Sequence, residues 1–474
     1  MPRYFFVLCL LLCLPWWIQD LQAQDSVQVL TLQEYQRIIL ANHPVASQAR
    51  LLTEQARQEL RISRGVFDPE ISSKLYRKEF NGKEYYNTWD NTLRVPLWFG
   101  PVLKAGYEKN QGQFLNPENS TPENGLSYAG ISIPLGQGLF IDERRSVLRQ
   151  AQLMQDIAEA ERVKLINKLL LEATKDYWDW LLQYRTMQLF QEALELADFR
   201  LKGVNIRARE GDLAAIDTVE ALMVVQDRLV LLQQAQLNYN NNRLQVAVHL
   251  WGENGVPLEL QENTVPTLLG SELATLQPDS VEQLLEFARN NHPELRKLDL
   301  KGDQLAIEQR FAADKLKPKL NIDYNVLQRD FYLGSEALDQ QHMGNNYKMG
   351  VSFSLPLFLR EERGKLQLTR AKQQVNALEF TQTAREVAAA VQAAYNELLA
   401  LEQQIRTQQQ AVANALILRD GEIIRFENGE SSLFLINSRE VKYLEAQVKL
   451  YELRTKYAKA KTYLYWAAGE VPVE

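Results

Sequence analysis

Residues 139–211 read LFIDERRSVLRQAQLMQDIAEAERVKLINKLLLEATKDYWDWLLQYRTMQLFQEALELADFRLKGVNIRAREG, and a similar pattern returns 218 residues later, at 357–429, without a gap. The shift places Gly211 on Gly429. Neither copy contains proline, and each is far longer than an ordinary globular helix. The pattern predicts two long helices, at 139–210 and 359–428. About 65 helical residues at 1.5 Å rise make a rod on the order of 100 Å long.

Apolar residues in both copies recur at alternating spacings of four and three. The first set is Ile166, Leu170, Ala173, Tyr177, Trp180, Tyr184 and Met187, and the second is Val387, Val391, Ala394, Leu398, Leu401 and Ile405. This spacing is typical of a coiled-coil seam, a narrow apolar stripe on a polar rod. Two such rods predict one elongated molecule built by duplication, although 474 residues could also form two or three compact domains.

The elements around each long helix follow the same order. We predict a first repeat at 24–252, with helices at 31–66, strands within 70–135, the long helix at 139–210 and a further helix at 213–250. A linker at 253–279 leads to a second repeat at 280–469, with helices at 280–316, strands within 319–357, the long helix at 359–428 and a helix at 431–467, followed by a tail at 470–474. Thr31 and Ser280 begin capping boxes, and Asn-His-Pro breaks the first helices at 42–44 and 291–293.

Between the helices the apolar period changes to two, which predicts strands with one apolar and one polar face. The predicted strands are Glu70–Lys78, Trp89–Leu97, Val102–Lys109, Ser127–Leu135 and two more near 320–326 and 347–355. Strands of this length and alternation are typical of a transmembrane β-barrel. The alternative is a soluble sandwich that buries the apolar faces.

The first repeat contains an insertion. The Asn-His-Pro breaks are 249 residues apart and the long helices 218, so the first repeat has about 31 extra residues between Pro69 and Phe140. That is room for one additional hairpin, which we assign to Trp89–Leu97 and Val102–Lys109. The hairpin either joins the wall of strands or folds outside it as a cap.

The N-terminus is predicted to be a signal peptide at 1–23. Arg3 precedes a mostly apolar run at 4–18, and Ala23 ends a plausible cleavage site. Both cysteines, Cys9 and Cys13, lie in that run. A lipid anchor on Cys13 is the alternative, although the bulky residue before it argues against one. Beyond the signal there is no 18-residue apolar run, so we expect an exported protein that is either secreted or forms an outer-membrane barrel.

Composition and motifs argue against several classes of function. The net charge is −7 with no basic stripe, so we expect no nucleic-acid partner. The four histidines have no metal-ligand spacing, and Gly136-Gln137-Gly138 lacks the third glycine of a dinucleotide loop. No nucleophile–base pair is apparent. We therefore expect neither an enzyme nor a bound cofactor or metal.

The duplicated order, the Asn-His-Pro breaks and the glycine turns after each long helix resemble the TolC-like outer-membrane efflux proteins, over residues 31–469. The resemblance implies an α+β membrane protein of duplicated halves: a homotrimeric outer-membrane β-barrel continued by an α-helical coiled-coil barrel in the periplasm of a Gram-negative cell. It implies outer-membrane lipid, a periplasmic adaptor and an inner-membrane pump as partners. The family pattern has two strands per half, whereas the first half here has room for four. Six strands per chain would give eighteen in a trimer.

The resemblance also implies a site at the two helix-hairpin tips. The expected adaptor-docking residues are Gly211, Asp212, Leu213 and Ala214, with Gly429, Glu430, Ser431 and Ser432. The family often narrows its pore with carboxylates just beyond a tip, which here indicates Asp217 and Glu220. The same steps in the second half give Leu435 and Ser438, with Asn437 and Glu440 as the nearest polar residues, so that half departs from the version in which it carries the acids. The alternative for Asp217 is a solvated helix face.

Two functions are consistent with these features. The first is a passive export conduit, gated at the helix tips, in a tripartite efflux or type I secretion system. The second is a structural or adhesive envelope protein with coiled-coil rods on a membrane anchor and no through-pore. The duplication favours the conduit, because matched halves suit a closed ring of equivalent helices.

Overall fold

A computed structural model describes residues 28–267, 279–329 and 344–470. The predicted signal peptide at 1–23, the end of the predicted linker and the last four residues lie outside the described part of the chain. Arg3, Cys9 and Cys13 belong to that N-terminal stretch.

The helices, in chain order, are α1 (Leu32–Asn42), α2 (Pro44–Gly65), α3 (Glu143–Glu210), α4 (Ala215–Val248), α5 (Asp279–Asn291), α6 (Pro293–Asp314), α7 (Arg360–Glu427) and α8 (Leu433–Ala468). The strands are β1 (Gln28–Leu30), β2 (Glu70–Phe80), β3 (Lys83–Pro96), β4 (Val102–Gln111), β5 (Leu126–Pro134), β6 (Thr264–Pro266), β7 (Lys319–Arg329) and β8 (Tyr347–Ser354).

The helix ends follow local chemistry. The Thr31 hydroxyl accepts a hydrogen bond from the backbone N–H of Glu34 at 3.1 Å and so begins α1. His43 separates α1 from α2, where its Nδ1 accepts the N–H of Val45 at 3.1 Å. The helix α3 begins at Glu143, four residues later than expected, because Asp142 is its N-cap. Both long helices, α3 and α7, contain 68 residues, which is about 100 Å of helix.

The two predicted seams form the cores of the two halves. Leu170, Ala173, Tyr177 and Trp180 are fully buried in α3, and Val391, Ala394, Leu398 and Ile405 are equally buried in α7. The hydroxyl of Tyr177 also donates to the carbonyl of Leu30 at 2.8 Å. That carbonyl belongs to β1, which pairs in parallel with β6 in a small sheet that the sequence did not predict.

The other six strands form one antiparallel sheet in the order β2-β3-β4-β5-β7-β8. The predicted extra hairpin lies within this sheet: Leu93 of β3 pairs with Ile71 of β2 and with Ala105 of β4, and Ala105 pairs with Ala129 of β5. The strands β2 and β8 are its edges.

The strand β3 begins at Lys83, six residues before the predicted Trp89. The cause is a two-residue turn at Asn81 and Gly82, whose φ angles are 51° and 67°. Positive φ at both positions is typical of the type I′ turn that matches strand twist, so pairing continues to Phe80 and Lys83. Asn-Gly was a signal that the periodicity analysis overlooked.

The sheet separates polar from apolar side chains. One face carries mainly apolar residues on every strand, among them Ile71, Leu75, Leu93, Val95, Leu103, Ile131, Ile322, Tyr324, Met349, Val351 and Phe353. The other face carries the alternating residues, including Lys74, Asp90, Arg94, Lys104, Tyr128, Ser132, Asp323 and Lys348. The large apolar side chains of the edge strands are exposed.

Candidate gate and docking site at the two hairpin tips

The turn from α3 to α4 and the turn from α7 to α8 have the same geometry. Gly211 and Gly429 have φ angles of 89° and 78°. The N–H of Asp212 donates to the carbonyl of Arg207 at 2.9 Å, and the N–H of Glu430 donates to that of Arg425 at 2.8 Å. This is a helix C-cap that requires a left-handed residue, which glycine adopts without strain. The two copies of the repeated sequence therefore end in turns of the same structure.

The residues predicted to dock an adaptor stand at these turns. Gly211, Asp212, Ala214, Gly429, Glu430 and Ser432 are exposed, whereas Leu213 and Ser431 are half-buried. The Ser431 hydroxyl donates to Oε1 of Glu422 at 2.6 Å. The same carboxylate lies 3.4 Å from Nη1 of Arg425 and 3.6 Å from Nε of Arg439.

Glu422 is buried beneath the second tip. The hydrogen bond from Ser431, together with the nearby guanidinium of Arg425, holds the pKa of Glu422 below its ordinary value. The carboxylate is therefore ionised at neutral pH and fixes the turn to the two helices that it joins.

The predicted constriction residues separate into different roles. The Asp217 carboxylate accepts the N–H of Ala214 at 3.1 Å and so caps its own helix α4. Glu220 accepts a hydrogen bond from the side-chain amide of Asn437 at 3.3 Å, which joins the two halves of the chain. Ser438 is half-buried beside Asn437. The structure thus brings Glu220 and Asn437 together, and Asp217 has a contact within α4.

Apolar residues hold the two tips against each other. Val204, Ala221 and Leu433 are buried in one cluster, with Leu201, Leu213 and Phe426 packed around it. The guanidinium of Arg207 lies 5.4 Å from the centre of the Phe426 ring. Since these residues come from both hairpins, the contact couples the first half of the chain to the second.

Next to this cluster lies a buried group of three charges. Arg200 of α3 donates two hydrogen bonds to the Glu440 carboxylate of α8, and the one from Nη1 to Oε2 is 2.9 Å long. The two side chains are only 15% and 8% exposed. Arg228 of α4 is 5% exposed. Burial lowers the pKa of Arg228, and the nearby Glu440 carboxylate opposes that shift.

In the sequence, Glu440 stands out only as a polar neighbour of the tip, and neither arginine was predicted. A signal was present for one of them. Ala221, Arg228 and Ala235 follow one another at seven-residue spacing and are all buried, so Arg228 is a charged residue in a helix seam. Its partner Glu440 lies more than two hundred residues away, and no local pattern connects the two.

The outward side of α4 carries a second, exposed seam. Ile216, Met223, Val230, Leu237 and Leu244 stand at seven-residue spacing, and each is between 52% and 70% exposed. A heptad stripe of this kind is typical of a helix that packs against another helix. Within the described part of the chain these side chains remain open to solvent.

The described residues contain neither a membrane-spanning helix nor a metal-binding cluster. None of their helices is both long and apolar enough to cross a membrane. No cluster of three or more histidine, cysteine or acidic side chains among them could hold a metal ion.

Comparison with known proteins agrees with the sequence resemblance. Residues 284–470 match the outer membrane efflux protein family, whereas no curated protein sequence matches the chain. A membrane protein from Pseudomonas aeruginosa is structurally similar, with a TM-score of 0.64 and 16% identity over 94% of this chain and 91% of that one. The Campylobacter jejuni CmeC outer membrane channel has a TM-score of 0.64 and 14% identity, over 92% and 85%. The open state of the Neisseria gonorrhoeae MtrE outer membrane channel has a TM-score of 0.61 and 15% identity, over 92% and 88%. Residues 284–470 are thus similar to that family, and the whole chain has the fold of these channels.

Proposed function

We propose that this protein is the outer-membrane conduit of a tripartite efflux or type I secretion system. It exports substrates passively through a homotrimeric tunnel that is gated at the periplasmic hairpin tips. One observation carries the proposal: a single six-stranded sheet, apolar on one face and polar on the other, continues directly into two helices of 68 residues each.

The apolar face of the sheet fits lipid. Ile71, Met349, Val351 and Phe353 are among its exposed residues. Soluble proteins rarely expose so large an apolar patch, because each Å² left in water forgoes about 25 cal/mol. The opposite face carries the ion pair between Lys104 and Asp323, with 2.6 Å between Nζ and Oδ1. A polar, hydrated interior suits a channel and has no purpose in a solid membrane anchor.

The two edges of the sheet fit each other. The strand β2 leaves the helices and β8 returns to them, so β8 of one copy can pair antiparallel with β2 of the next. With six strands per chain this alternation continues around the ring, and three copies give eighteen strands. Barrel diameter grows roughly linearly with strand number, so this barrel would be about 1.5 times as wide as one of twelve strands.

The exposed helix seam fits the same assembly. Next to the tips, α3 packs on α4 and α8, and α8 packs on α7, so α4 and α7 are the outer helices of each copy. The exposed apolar residues of α7 include two pairs at seven-residue spacing, Leu368 with Val375 and Ile417 with Ile424. We infer that the α4 seam of one copy packs on α7 of its neighbour and closes a tunnel of helices.

The gate is the contact between the two tips. Moving the α7–α8 hairpin away from α3 and α4 would hydrate Arg200, Arg228 and Glu440, so water offsets part of the cost of separation. Asp217 and Glu220 would be present three times at the narrow end and would favour cations there. The exposed tip residues would dock a periplasmic adaptor, which connects the tunnel to an inner-membrane pump.

Single-channel recording tests the proposal. Purified protein reconstituted into a planar bilayer should produce discrete conductance steps. A structural or adhesive protein with rods on an anchor would insert without conducting. Insertion without any conductance, measured under conditions that release the tip contact, would therefore favour that alternative.

A further inference from the structure

We propose that the helix-side end of the sheet carries a binding surface for the headgroups of glycerophospholipids, built from exposed aromatic side chains and the cations Lys317 and Arg360. This inference rests on the proposed function, because it requires that the sheet spans a membrane with its helix-side end at the bilayer surface.

Exposed aromatic rings follow three strands at the helix-side end of the sheet. Three strands end toward the helices in a proline followed by a leucine, and each of these ends is followed by an exposed aromatic: Trp98 after β3, Phe140 after β5 and Phe358 after β8. Their exposed fractions are 76%, 73% and 70%. Aromatic side chains at this position match the interfacial girdle of membrane proteins, where the apolar part of a bilayer gives way to headgroups.

Two of these rings have a cation over them. Nζ of Lys317 lies 5.3 Å from the centre of the Phe140 ring, and the guanidinium of Arg360 lies 5.1 Å from that of Phe358. Lys317 is half exposed and is also paired with the buried Asp314 at 2.6 Å. Arg360 is exposed and has no ion pair within the described residues. Long cationic side chains at the end of an apolar surface reach toward lipid phosphates.

The backbone beside the second pair is held in an unusual conformation. Leu359, between Phe358 and Arg360, has a φ angle of 49°. Among the described residues the only other non-glycine with positive φ is Asn81, which occupies a tight turn suited to it. A bulky residue in this region is strained, and strain of this kind is retained where geometry matters for function. The two residues before it, Leu357 and Phe358, are both exposed.

Contact between copies cannot account for the whole surface. Phe358 follows the edge strand β8 and could meet a neighbouring copy, but Trp98 and Phe140 follow β3 and β5, which lie inside the sheet. A bilayer surface at the helix-side end of the sheet would be near all three. The net positive charge that Arg360 adds selects a phosphate group over a neutral headgroup.

The experiment counts bound lipid. The protein is reconstituted into nanodiscs of phosphatidylethanolamine and phosphatidylglycerol in equal parts, released into mild detergent and weighed by native mass spectrometry. The double variant Lys317→Gln with Arg360→Gln should retain about two phospholipids fewer per chain, one for each cation. The variant Lys317→Arg with Arg360→Lys should retain the wild-type number. The control Lys202→Gln removes an exposed lysine far along α3, which pairs with Asp198, and should also leave the number unchanged.

Equal retention by the glutamine variant and the wild type would overturn the inference. Displacement of the lipid by millimolar inorganic phosphate would also overturn it, because the surface would then be a general anion site. Single-channel recording of the same variant distinguishes failure of this inference from failure of the proposed function. Loss of lipid with normal conductance supports both the lipid surface and the channel function. Retained lipid with normal conductance refutes the lipid surface and leaves the channel function intact.

Discussion

The substitution Glu440→Gln should release the contact between the two hairpin tips. It removes the negative charge that pairs with Arg200 and lies near Arg228, and it leaves both guanidinium groups buried near a neutral amide. Glu440 is 8% exposed and Arg228 is 5% exposed, so water compensates little while the tips stay closed. Removing one partner of a buried ion pair typically costs about 3–5 kcal/mol.

That free energy acts against the closed state alone, because the arginines are hydrated once the tips separate. A cost of about 3–5 kcal/mol corresponds to a shift of roughly 10² to 4 × 10³ in the closed-to-open equilibrium. Single-channel recordings should therefore show a large rise in open probability for Glu440→Gln at low salt. Thermal unfolding of the helical part should occur at lower temperature.

Two variants control this result. Asp198→Asn disrupts a pair with Lys202 whose side chains are 48% and 73% exposed, so it should change the gate by less than about 1 kcal/mol. The triple variant Arg200→Met, Glu440→Leu and Arg228→Met replaces the buried charges with apolar volume. It should keep the tips closed at least as firmly as the wild type. If Glu440→Gln behaved like Asp198→Asn in both assays, the buried charges would have no part in the gate.

Four further predictions concern other parts of the chain. Tyr177→Asp should lower the free energy of unfolding by about 3–5 kcal/mol, because it places an unpaired charge in a seam position that is 1% exposed. If this variant melted at the wild-type temperature and assembled like the wild type on native gels, Tyr177 would not belong to the seam. Gly429→Val should abolish transport in cells while the protein still reaches the membrane, because a β-branched residue resists a φ of 78°. Full transport by this variant would show that the second tip has no part in the transport mechanism. Asp217→Asn with Glu220→Gln should lower cation over anion permeability, as read from reversal potentials across a salt gradient, and an unchanged potential would place both residues on a solvated face. The pKa of Glu422 is lowered in the folded protein. The stability that its carboxylate contributes is therefore complete above the pKa of the unfolded chain and is lost as the pH falls through the folded pKa. In acid unfolding experiments the wild type should show this pH-dependent loss of stability, and Glu422→Gln should lack it.

Much of the fold follows from local periodicity. The seam that includes Tyr177 and the strand alternation around Ile322 are patterns of residues close together in the sequence. Burial of the apolar residues then follows, because one face of each element must be removed from water. The breaks at His43 and His292 could be predicted because the following proline lacks a backbone N–H and restricts the residue before it. These features depend only on neighbours in the chain.

The features that the sequence did not reveal depend on distant partners or very short segments. The strands β1 and β6 have three residues each and pair across more than two hundred residues, so no periodicity can develop in them. The pair between Arg200 and Glu440 likewise joins residues that only the folded chain brings together. Asp217 was placed correctly near a tip, but its cap of α4 depends on the backbone direction at Ala214.

The inserted hairpin shows how the sheet and the helices can change separately. Because it adds two strands, β5 and β8 still run toward the helices, and α3 and α7 begin at the same end of the sheet; a single added strand would have reversed α3. In the proposed trimer the barrel therefore widens while the number of helices stays constant. The added turn must then be held to the rods, and two arginines at the start of α3 do this. Arg145 donates to the carbonyl of Phe99 at 3.3 Å, and Arg144 donates to that of Gly100 at 3.2 Å. In that trimer, one hairpin and two hydrogen-bonded side chains would place a wider barrel on an unchanged tunnel.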